Sequence, residues 1–217
     1  MFTTEELDTL PLVLSPPRFA TYLKAKDGMT AEALALYQWN LKVSAAFMLP
    51  LHVCEVAMRN AVVQAIEKVH GENWPWARGF RRSLRRTRRG YCPVRDLEAV
   101  AAKEPTAGKV VADLKFAFWQ WMFLASQDER LWEPHLHEVF PGISTNTQAS
   151  IAREAAYSEL YHVRFFRNRI AHHEPIFGRR LGEDYARIIQ LIEWRSPVAA
   201  TWVGRVQRVE ALLGQVP

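Results

Sequence analysis

Residues 163–177 hold the side chains of this chain whose types and spacing suit acid–base chemistry on a phosphate. The arginines and histidines there are Arg164, Arg167, Arg169, His172 and His173. A histidine can accept and donate a proton near neutral pH, and an arginine can hold a phosphate through two parallel hydrogen bonds. RNA cleavage needs a base for the 2′-hydroxyl, an acid for the leaving 5′-oxygen and positive charge at the phosphorus. One arginine and one histidine supply part of this set, and two copies supply all of it without a metal.

The spacing of Arg167 and His172 leaves a second interpretation open. At about 100° per residue the two side chains lie about 140° apart around a straight helix. They cannot pair directly as residues four apart would, but they can converge on a larger group that lies across the helix end. Taken alone, an arginine with a histidine five residues later favours the solvated end of a basic helix. The helix C-terminus favours a protonated histidine, whereas neighbouring arginines disfavour it.

Helices are the elements that must position these side chains, because apolar residues recur along the chain at steps of three or four. We expect a helix near 18–26 and then helices over 30–71 with a kink or restart at Pro50, 78–89, 110–126, 127–140 with an interruption at Pro134, 147–172, 182–195 and 197–213. No alternation of period two is long enough to predict a strand. The predicted fold class is all-α, a helical bundle, with an N-terminal arm and short helix in 1–29 and one domain over 30–217.

Residues 72–108 are expected to form a basic connector, because they are rich in proline, glycine and arginine. Residues 78–95 hold eight arginines and no acidic residue, so the other 199 residues together carry a net charge of −3. A short helix near 78–89 would have one almost wholly basic face, interleaved with aromatic residues that could stack on unpaired bases. We therefore predict RNA binding by Arg78, Arg81, Arg82, Arg85, Arg86, Arg88 and Arg89. The alternatives are a solvated charged helix and a helix docked on acidic residues of a partner subunit.

Composition excludes several classes of protein. A hydrophobic content of 49% excludes wholesale disorder. With only Cys54 and Cys92 there is no disulfide scaffold or cysteine-based zinc ribbon, and this content fits a reducing compartment. The acidic, polar start is not that of a signal peptide, and the strongly apolar stretch Phe116–Ala125 is too short to span a bilayer. We therefore expect a cytoplasmic protein with no membrane association, no cofactor and no metal, since three consecutive residues such as His172–Glu174 chelate poorly.

The stretch Arg167–Phe177 (Arg-Asn-Arg-Ile-Ala-His-His-Glu-Pro-Ile-Phe) closely resembles the signature of the Abi-like (abortive infection) protein family of bacteria, which belongs to the HEPN superfamily of helical domains. The HEPN mark is an arginine, four to six residues and a histidine, often with a polar residue directly after the arginine. Arg167, Asn168 and His172 match it. The resemblance covers most of 30–200 and continues in Leu36–Asn40, Ser44–Leu51, Glu55–Ala61, Val110–Trp119, Tyr185 and Trp194.

This resemblance implies a HEPN-like bundle that works as a metal-independent endoribonuclease, with a composite active site between the two subunits of a homodimer. Arg167 would hold the scissile phosphate, His172 would act as general acid or base, and Asn168 would orient one or the other. Many active relatives are toxins or phage-defence effectors, some acting on transfer RNA, and an antitoxin or regulatory protein is an expected partner. The superfamily also has non-catalytic members, so an RNA- or nucleotide-binding dimer and a protein-interaction module stay open as alternatives.

Five further residues are candidates for a supporting role. Glu55 and Arg59 are four residues apart on one helix face, where they can form an ion pair within the helix. Alternatively, Glu55 lines the cleft and orients Arg167 or His172. The other three candidates are Asn60, Arg169 and His173, and the side chain of His173 is expected to bond the carbonyls of the last helical turn or to stack near Phe177. We expect the aromatic residues between 116 and 123 to lie in the core or in a dimer interface.

Overall fold

A computed structural model describes residues 2–217, and in this range every regular element is a helix. The all-α prediction is therefore confirmed. The helices are α1 (Thr4–Val13), α2 (Pro16–Ala25), α3 (Thr30–His70), α4 (Arg78–Ser83), α5 (Pro93–Lys103), α6 (Ala107–Asp113), α7 (Phe116–Trp121), α8 (Glu133–Val139), α9 (Ala149–Ala171), α10 (Leu181–Arg195), α11 (Pro197–Val206) and α12 (Val209–Leu213). Short 3-10 turns lie at Trp74–Trp76 and Ala125–Gln127, and a π turn lies at Asp128–Trp132.

The central element is α3, a helix of 41 residues against which α2, α8, α10 and α12 pack. It runs through Pro50, so of the two outcomes expected from the sequence, a kink or a restart of the helix, the restart is wrong. A proline inside a helix costs about 3 kcal/mol because it removes one backbone hydrogen bond and its ring crowds the preceding turn. Pro50 is itself buried, and so are Phe47 and Leu51 on either side of it. Burial of this apolar segment offsets the local cost and keeps the helix continuous.

The N-terminal residues differ from the expected arm, because residues 4–13 form α1. Its first turn is closed by a capping box, in which the Thr3 hydroxyl accepts from the backbone of Glu6 and the Glu6 carboxylate accepts from the backbone of Thr3. No residue of α1 is buried, whereas α2 buries Phe19 and Tyr22 against the core. The proline pair that starts α2 therefore marks a helix N-terminus and not the end of an unstructured segment.

The segment 72–108 is part of the packed bundle, and the basic helix predicted over 78–89 is wrong beyond Ser83. The backbone of Leu84 is extended, and its side chain is buried together with those of Trp74 and Phe80. Gly90 follows in the left-handed region with φ 74°, and α5 then begins. Burial of Leu84 turns the chain out of the helix, so Arg85, Arg86, Arg88 and Arg89 leave from an irregular segment and form no basic helix face.

Two of the remaining predicted helices have the expected ranges, and two others are each divided into two shorter helices. The helices α9 and α10 match the predicted ranges within two residues. The helix expected over 110–126 is instead α6 and α7 with a corner at Leu114 and Lys115, because the buried Leu114 adopts an extended conformation. The expected helix 197–213 is likewise divided into α11 and α12. Most of the aromatic residues between 116 and 123 lie in the core, since Phe118, Trp119 and Phe123 are each 0% exposed, whereas Trp121 is only partly buried.

One helix, α3, is long and apolar enough to cross a membrane by length and composition, with an 18-residue window of mean hydropathy 1.4. This window is longer than Phe116–Ala125, the apolar stretch on which the sequence-based exclusion of a membrane span depends. A core helix of a soluble protein passes the same test, and α3 supplies many of the residues that form the hydrophobic core. A single helix of this kind near the N-terminus is a weak indication of a membrane protein.

Candidate functional site

A cleft of about 460 Å³ opens between α3, the corner that joins α6 to α7, and α9. Three of the residues that the sequence predicts for the site line it: Glu55 of α3 and Arg167 and Asn168 of α9. Its other polar lining residues are Tyr91, Asp113, Lys115 and Arg164. The cleft thus brings residues together from four separate parts of the chain.

The register of α9 places its arginines at the edge of this cleft. Its buried residues are spaced three or four apart and form one apolar face; they are Ala152, Ala156, Leu160, Val163, Phe166 and Ile170. The ring of Phe166 meets that of Phe47 edge to face, with centroids 4.7 Å apart. This contact locks α9 against α3. Because Arg164 and Arg167 flank the apolar face, their side chains emerge beside α3 and not into open solvent.

Glu55 joins two arginines across the gap between α3 and α9. Its carboxylate accepts a hydrogen bond from Arg59 at 2.9 Å within the helix, and its other oxygen lies 3.7 Å from Nε of Arg167. Both sequence interpretations of Glu55 therefore hold: it forms the intrahelical pair and it also contacts Arg167. The longer contact is an ion pair and not a hydrogen bond. Arg167 makes no hydrogen bond to another side chain or backbone group of residues 2–217, and 41% of its side chain is exposed.

His172 is not in the cleft. It forms the C-cap of α9, where its backbone N–H donates to the carbonyl of Asn168 at 2.9 Å, and its side chain is exposed. His172 follows Phe165 by seven residues and Tyr161 by eleven, so all three lie on the same side of α9. Those two rings are 43% and 46% exposed. The structure thus separates the histidine from the face that carries Arg167, as the helical spacing predicts.

The turn after α9 is held by side chains from three other places. Asn40 of α3 accepts from the buried backbone N–H of Ile176 at 2.8 Å. The guanidinium of Arg169 donates to the carbonyl of Pro175 at 2.8 Å and pairs with Glu174 at 3.0 Å. Arg18 of α2 donates to the carbonyl of His173 at 3.3 Å. Arg169 therefore stabilises this turn and does not line the cleft.

His173 and Asn60 also lie outside the cleft. The backbone of His173 is left-handed, with φ 57°, and its exposed side chain forms neither of the contacts expected from the sequence. Phe177 instead packs against Tyr22 in a tilted arrangement, with ring centroids 5.1 Å apart. Burial is the main cause that raises the pKa of Tyr22 to about 12. Asn60 is exposed on α3 and makes no hydrogen bond in the described part of the chain.

The arginine-rich segment begins next to the cleft. The guanidinium of Arg85 lies 5.9 Å from the ring centroid of Trp121, and the ring of Tyr91 meets that of Trp121 at 5.6 Å. Because Tyr91 also lines the cleft, two aromatic rings, those of Tyr91 and Trp121, connect the cleft to Arg85. Arg81 is different, since its Nε donates to the carbonyl of Pro75 at 2.8 Å. No ion pair within residues 2–217 includes an arginine of 78–89.

Tyr91 is held in the wall of the cleft by Asp96. Its hydroxyl donates to the Asp96 carboxylate at 2.7 Å, and Lys115 lies 3.4 Å from the other oxygen of that carboxylate. Burial, followed by the hydrogen bond to Asp96, raises the pKa of Tyr91, while the charge of Arg164 acts in the opposite direction. Tyr91 is therefore a neutral phenol at physiological pH.

Sequence reasoning did not select Arg164, Lys115 or Tyr91 as site residues. For Arg164 a signal existed, because it lies three residues before Arg167 and shares its side of the helix. No comparable signal marks Lys115 or Tyr91, whose positions depend on how α5, α6 and α7 pack.

No group of three or more His, Cys, Asp and Glu side chains within residues 2–217 is arranged to hold a metal ion. Comparison of the chain with protein-family models, with curated proteins and with solved structures finds no match. The geometry of the cleft and the residues of the motif therefore provide the grounds for a functional assignment.

Proposed function

We propose that this chain is a HEPN-like helical domain over 30–217, with a basic segment in 72–108, and that it is a metal-independent endoribonuclease. The observation that supports this most is the environment of Arg167. Its guanidinium lies in an open cleft together with Asn168 and makes no hydrogen bond to residues 2–217. The same cleft is lined by Tyr91, which belongs to the segment 78–95 with its eight arginines and no acidic residue. An arginine with free donors in a basic cleft is suited to binding a phosphodiester.

In the proposed reaction the 2′-oxygen of a ribose attacks the adjacent phosphorus, and the bond from phosphorus to the 5′-oxygen breaks. One His172 removes the proton of the 2′-hydroxyl, and a protonated second His172 donates a proton to the leaving 5′-oxygen. Arg167 stabilises the charge that develops on the phosphorane oxygens, and Asn168 orients the phosphate or the imidazole. The products are a 2′,3′-cyclic phosphate and a 5′-hydroxyl, so no external reactant is consumed.

The proposed active unit is a homodimer with a composite site. His172 is outside the cleft that holds Arg167 of the same chain, so the proposed site lies where the C-terminal ends of α9 from the two copies meet, and the His172 side chains of both copies reach one phosphodiester there. Exposed apolar side chains on α3 favour such an association: Leu41 is 53% and Met48 52% exposed. Leu41 and Met48 lie at helical spacing from Glu55, on the side of α3 that reaches the cleft.

Cleavage of purified total RNA in excess chelator tests this proposal. We expect the wild type to yield fragments with cyclic-phosphate ends, and Arg167→Ala and His172→Ala each to lower the rate by about 10²–10⁴-fold, the range typical of a lost acid–base group. His162→Ala is the matched control, because His162 is exposed on the same helix and does not line the cleft. Circular dichroism should show that all variants keep their helix content. Equal cleavage by wild type and both site variants would overturn the assignment.

A role in phage defence or as a toxin follows if the enzyme acts on cellular RNA, and transfer RNA is one proposed substrate. Expression in bacterial cells should then arrest growth for the wild type and not for Arg167→Ala. Rescue by a co-expressed neighbouring gene product would identify an antitoxin or regulatory partner. Localisation in the bacterial cytoplasm is part of the same proposal.

One observation favours a second candidate, a non-catalytic RNA- or nucleotide-binding dimer. It is the position of His172 outside the cleft, which leaves each chain with a phosphate-binding side chain but no base beside it. That candidate predicts RNA binding that depends on Arg167 and no cleavage at any enzyme concentration. A pure protein-interaction module instead predicts that affinity for RNA lacks the steep salt dependence of phosphate contacts.

A further inference from the structure

We propose that Arg164 and Lys115 form a second phosphate-binding subsite in the cleft, which holds the phosphate next to the one at Arg167 in a single strand of RNA. This inference rests on the proposed function and extends it, because it assigns two adjacent phosphates to one cleft. It also gives the strand a direction across the surface, from Arg167 past Arg164 toward the arginine-rich segment.

The guanidinium of Arg164 has no partner within residues 2–217 that would account for its position. Its Nε is buried without a hydrogen bond, and no carboxylate forms an ion pair with it. Its central carbon lies 4.8 Å from the ring centroid of Phe165 and 5.9 Å from that of Tyr161, so the guanidinium is in cation–π contact with two rings. A charged donor that is restrained and unpaired in this way is suited to an anion that enters from outside.

Lys115 lines the same cleft as Arg164, from the corner between α6 and α7. Its side chain is 72% exposed, and its contact with Asp96 at 3.4 Å is shared, because Asp96 already accepts from Tyr91 at 2.7 Å. The Lys115 ammonium can therefore move to a phosphate at little cost. Two cations from different elements of one cleft can bind the same phosphate.

The acidic residues of the cleft are already engaged. Glu55 interacts with Arg59 and Arg167, and Asp113 pairs with Lys103 at 2.5 Å. No carboxylate that lines the cleft is left without a cationic partner, whereas Arg164 is left without an anionic one. The cleft therefore has an excess of positive charge at the subsite, as a phosphate requires.

Aromatic rings extend the subsite in two directions. Tyr161 and Phe165, which hold Arg164 from one side, are both more than 40% exposed and can stack on unpaired bases. On the other side Tyr91 and Trp121 lead to Arg85. A strand that follows this route meets phosphate-binding and base-stacking groups in alternation, which is the arrangement typical of single-strand binding.

Binding of short single-stranded RNAs with a 2′-deoxy residue at the cleavage position, measured by fluorescence anisotropy, tests the subsite without turnover. We expect Arg164→Ala to weaken binding by about tenfold or more, as the loss of a charge-assisted hydrogen bond implies. The slope of log affinity against log salt should fall by about 0.7 for the lost phosphate contact. Arg205→Ala is the matched control, because Arg205 is exposed on α11 and does not line the cleft.

A neutral methylphosphonate at single positions of the RNA then shows which phosphate the residue binds. One position should weaken binding to the wild type and have no further effect on Arg164→Ala, and this position should adjoin the one that behaves so with Arg167→Ala. Lys115→Ala repeats the test with a mostly exposed residue whose loss leaves the core intact. If Arg164→Ala and Lys115→Ala both bind within twofold of Arg205→Ala, the subsite is refuted even though cleavage persists. If no RNA is cleaved but the coupling is found, the subsite stands and the endoribonuclease proposal fails.

Discussion

The hydrogen bond from the N–H of Ile176 to the side chain of Asn40 joins the turn after α9 to α3, and its loss should measurably destabilise the protein. The two atoms are 2.8 Å apart, Asn40 is 4% exposed and Ile176 is 0% exposed. Asn40→Ala leaves the N–H buried without an acceptor, which costs about 1–3 kcal/mol. Alanine is a better helix former than asparagine by up to about 0.7 kcal/mol. We therefore expect a net loss of about 1–2 kcal/mol in the free energy of unfolding.

Urea unfolding followed by circular dichroism measures this loss, which corresponds to a decrease of roughly 2–8 °C in Tm for a chain of this size. Asn60→Ala is the matched control, since it makes the same change on the same helix at an exposed position without a hydrogen bond. That control should be neutral or slightly stabilising. Equal free energies of unfolding for the two variants would refute the reasoning, because they would show that the turn after α9 does not depend on Asn40.

Two further predictions concern buried polar groups. Gln120 is 1% exposed, and neither polar atom of its side chain has a hydrogen-bond partner within residues 2–217. Gln120→Met should therefore raise the free energy of unfolding by about 1–2 kcal/mol. A lower free energy of unfolding in urea than that of the wild type would contradict this. Burial, and then the charge of Arg130, lower the pKa of His70. The unfolded chain therefore binds more protons as the pH falls below about 6.5, and the contribution of neutral His70 to stability is lost as the pH falls through its folded pKa. His70→Gln should lose less stability than the wild type between pH 7 and pH 5, and parallel profiles would count against this.

Residue spacing along α9 predicts some features of the candidate site and not others. Arg167 and Asn168 are consecutive on one helix, where side chains point about 100° apart, so their common position in the cleft follows from the packing of α9 and not from adjacency alone. The displacement of His172 from Arg167 follows from the helical repeat. The partnership of Arg167 with Glu55 is different, because 112 positions separate the two residues, and it depends on the contact of Phe47 with Phe166 that sets α9 against α3.

In the arginine-rich segment, the helix predicted from the spacing of the arginines does not form beyond Ser83. Arginines at steps of three and four favour a helix over 78–89, but α4 ends at Ser83 because Leu84 is buried in an extended conformation. The hydrogen bonds of Tyr91 to Asp96 and of Thr87 to the carbonyl of Tyr91 then shape the remaining residues. Tertiary contacts overrode a helical preference that is weak for any single residue.

The sequence by itself determined the all-α class, the ranges of α9 and α10, the concentration of positive charge in one segment and the order of Arg167, Asn168 and His172. These properties depend on composition and on interactions within a few residues, so they can be deduced without a fold. The tertiary structure alone decided that Glu55, Lys115, Tyr91 and Arg164 share one cleft, and that α3 continues through Pro50. Those outcomes depend on which apolar faces pack together, and that choice minimises the free energy of the whole chain and not of any one segment.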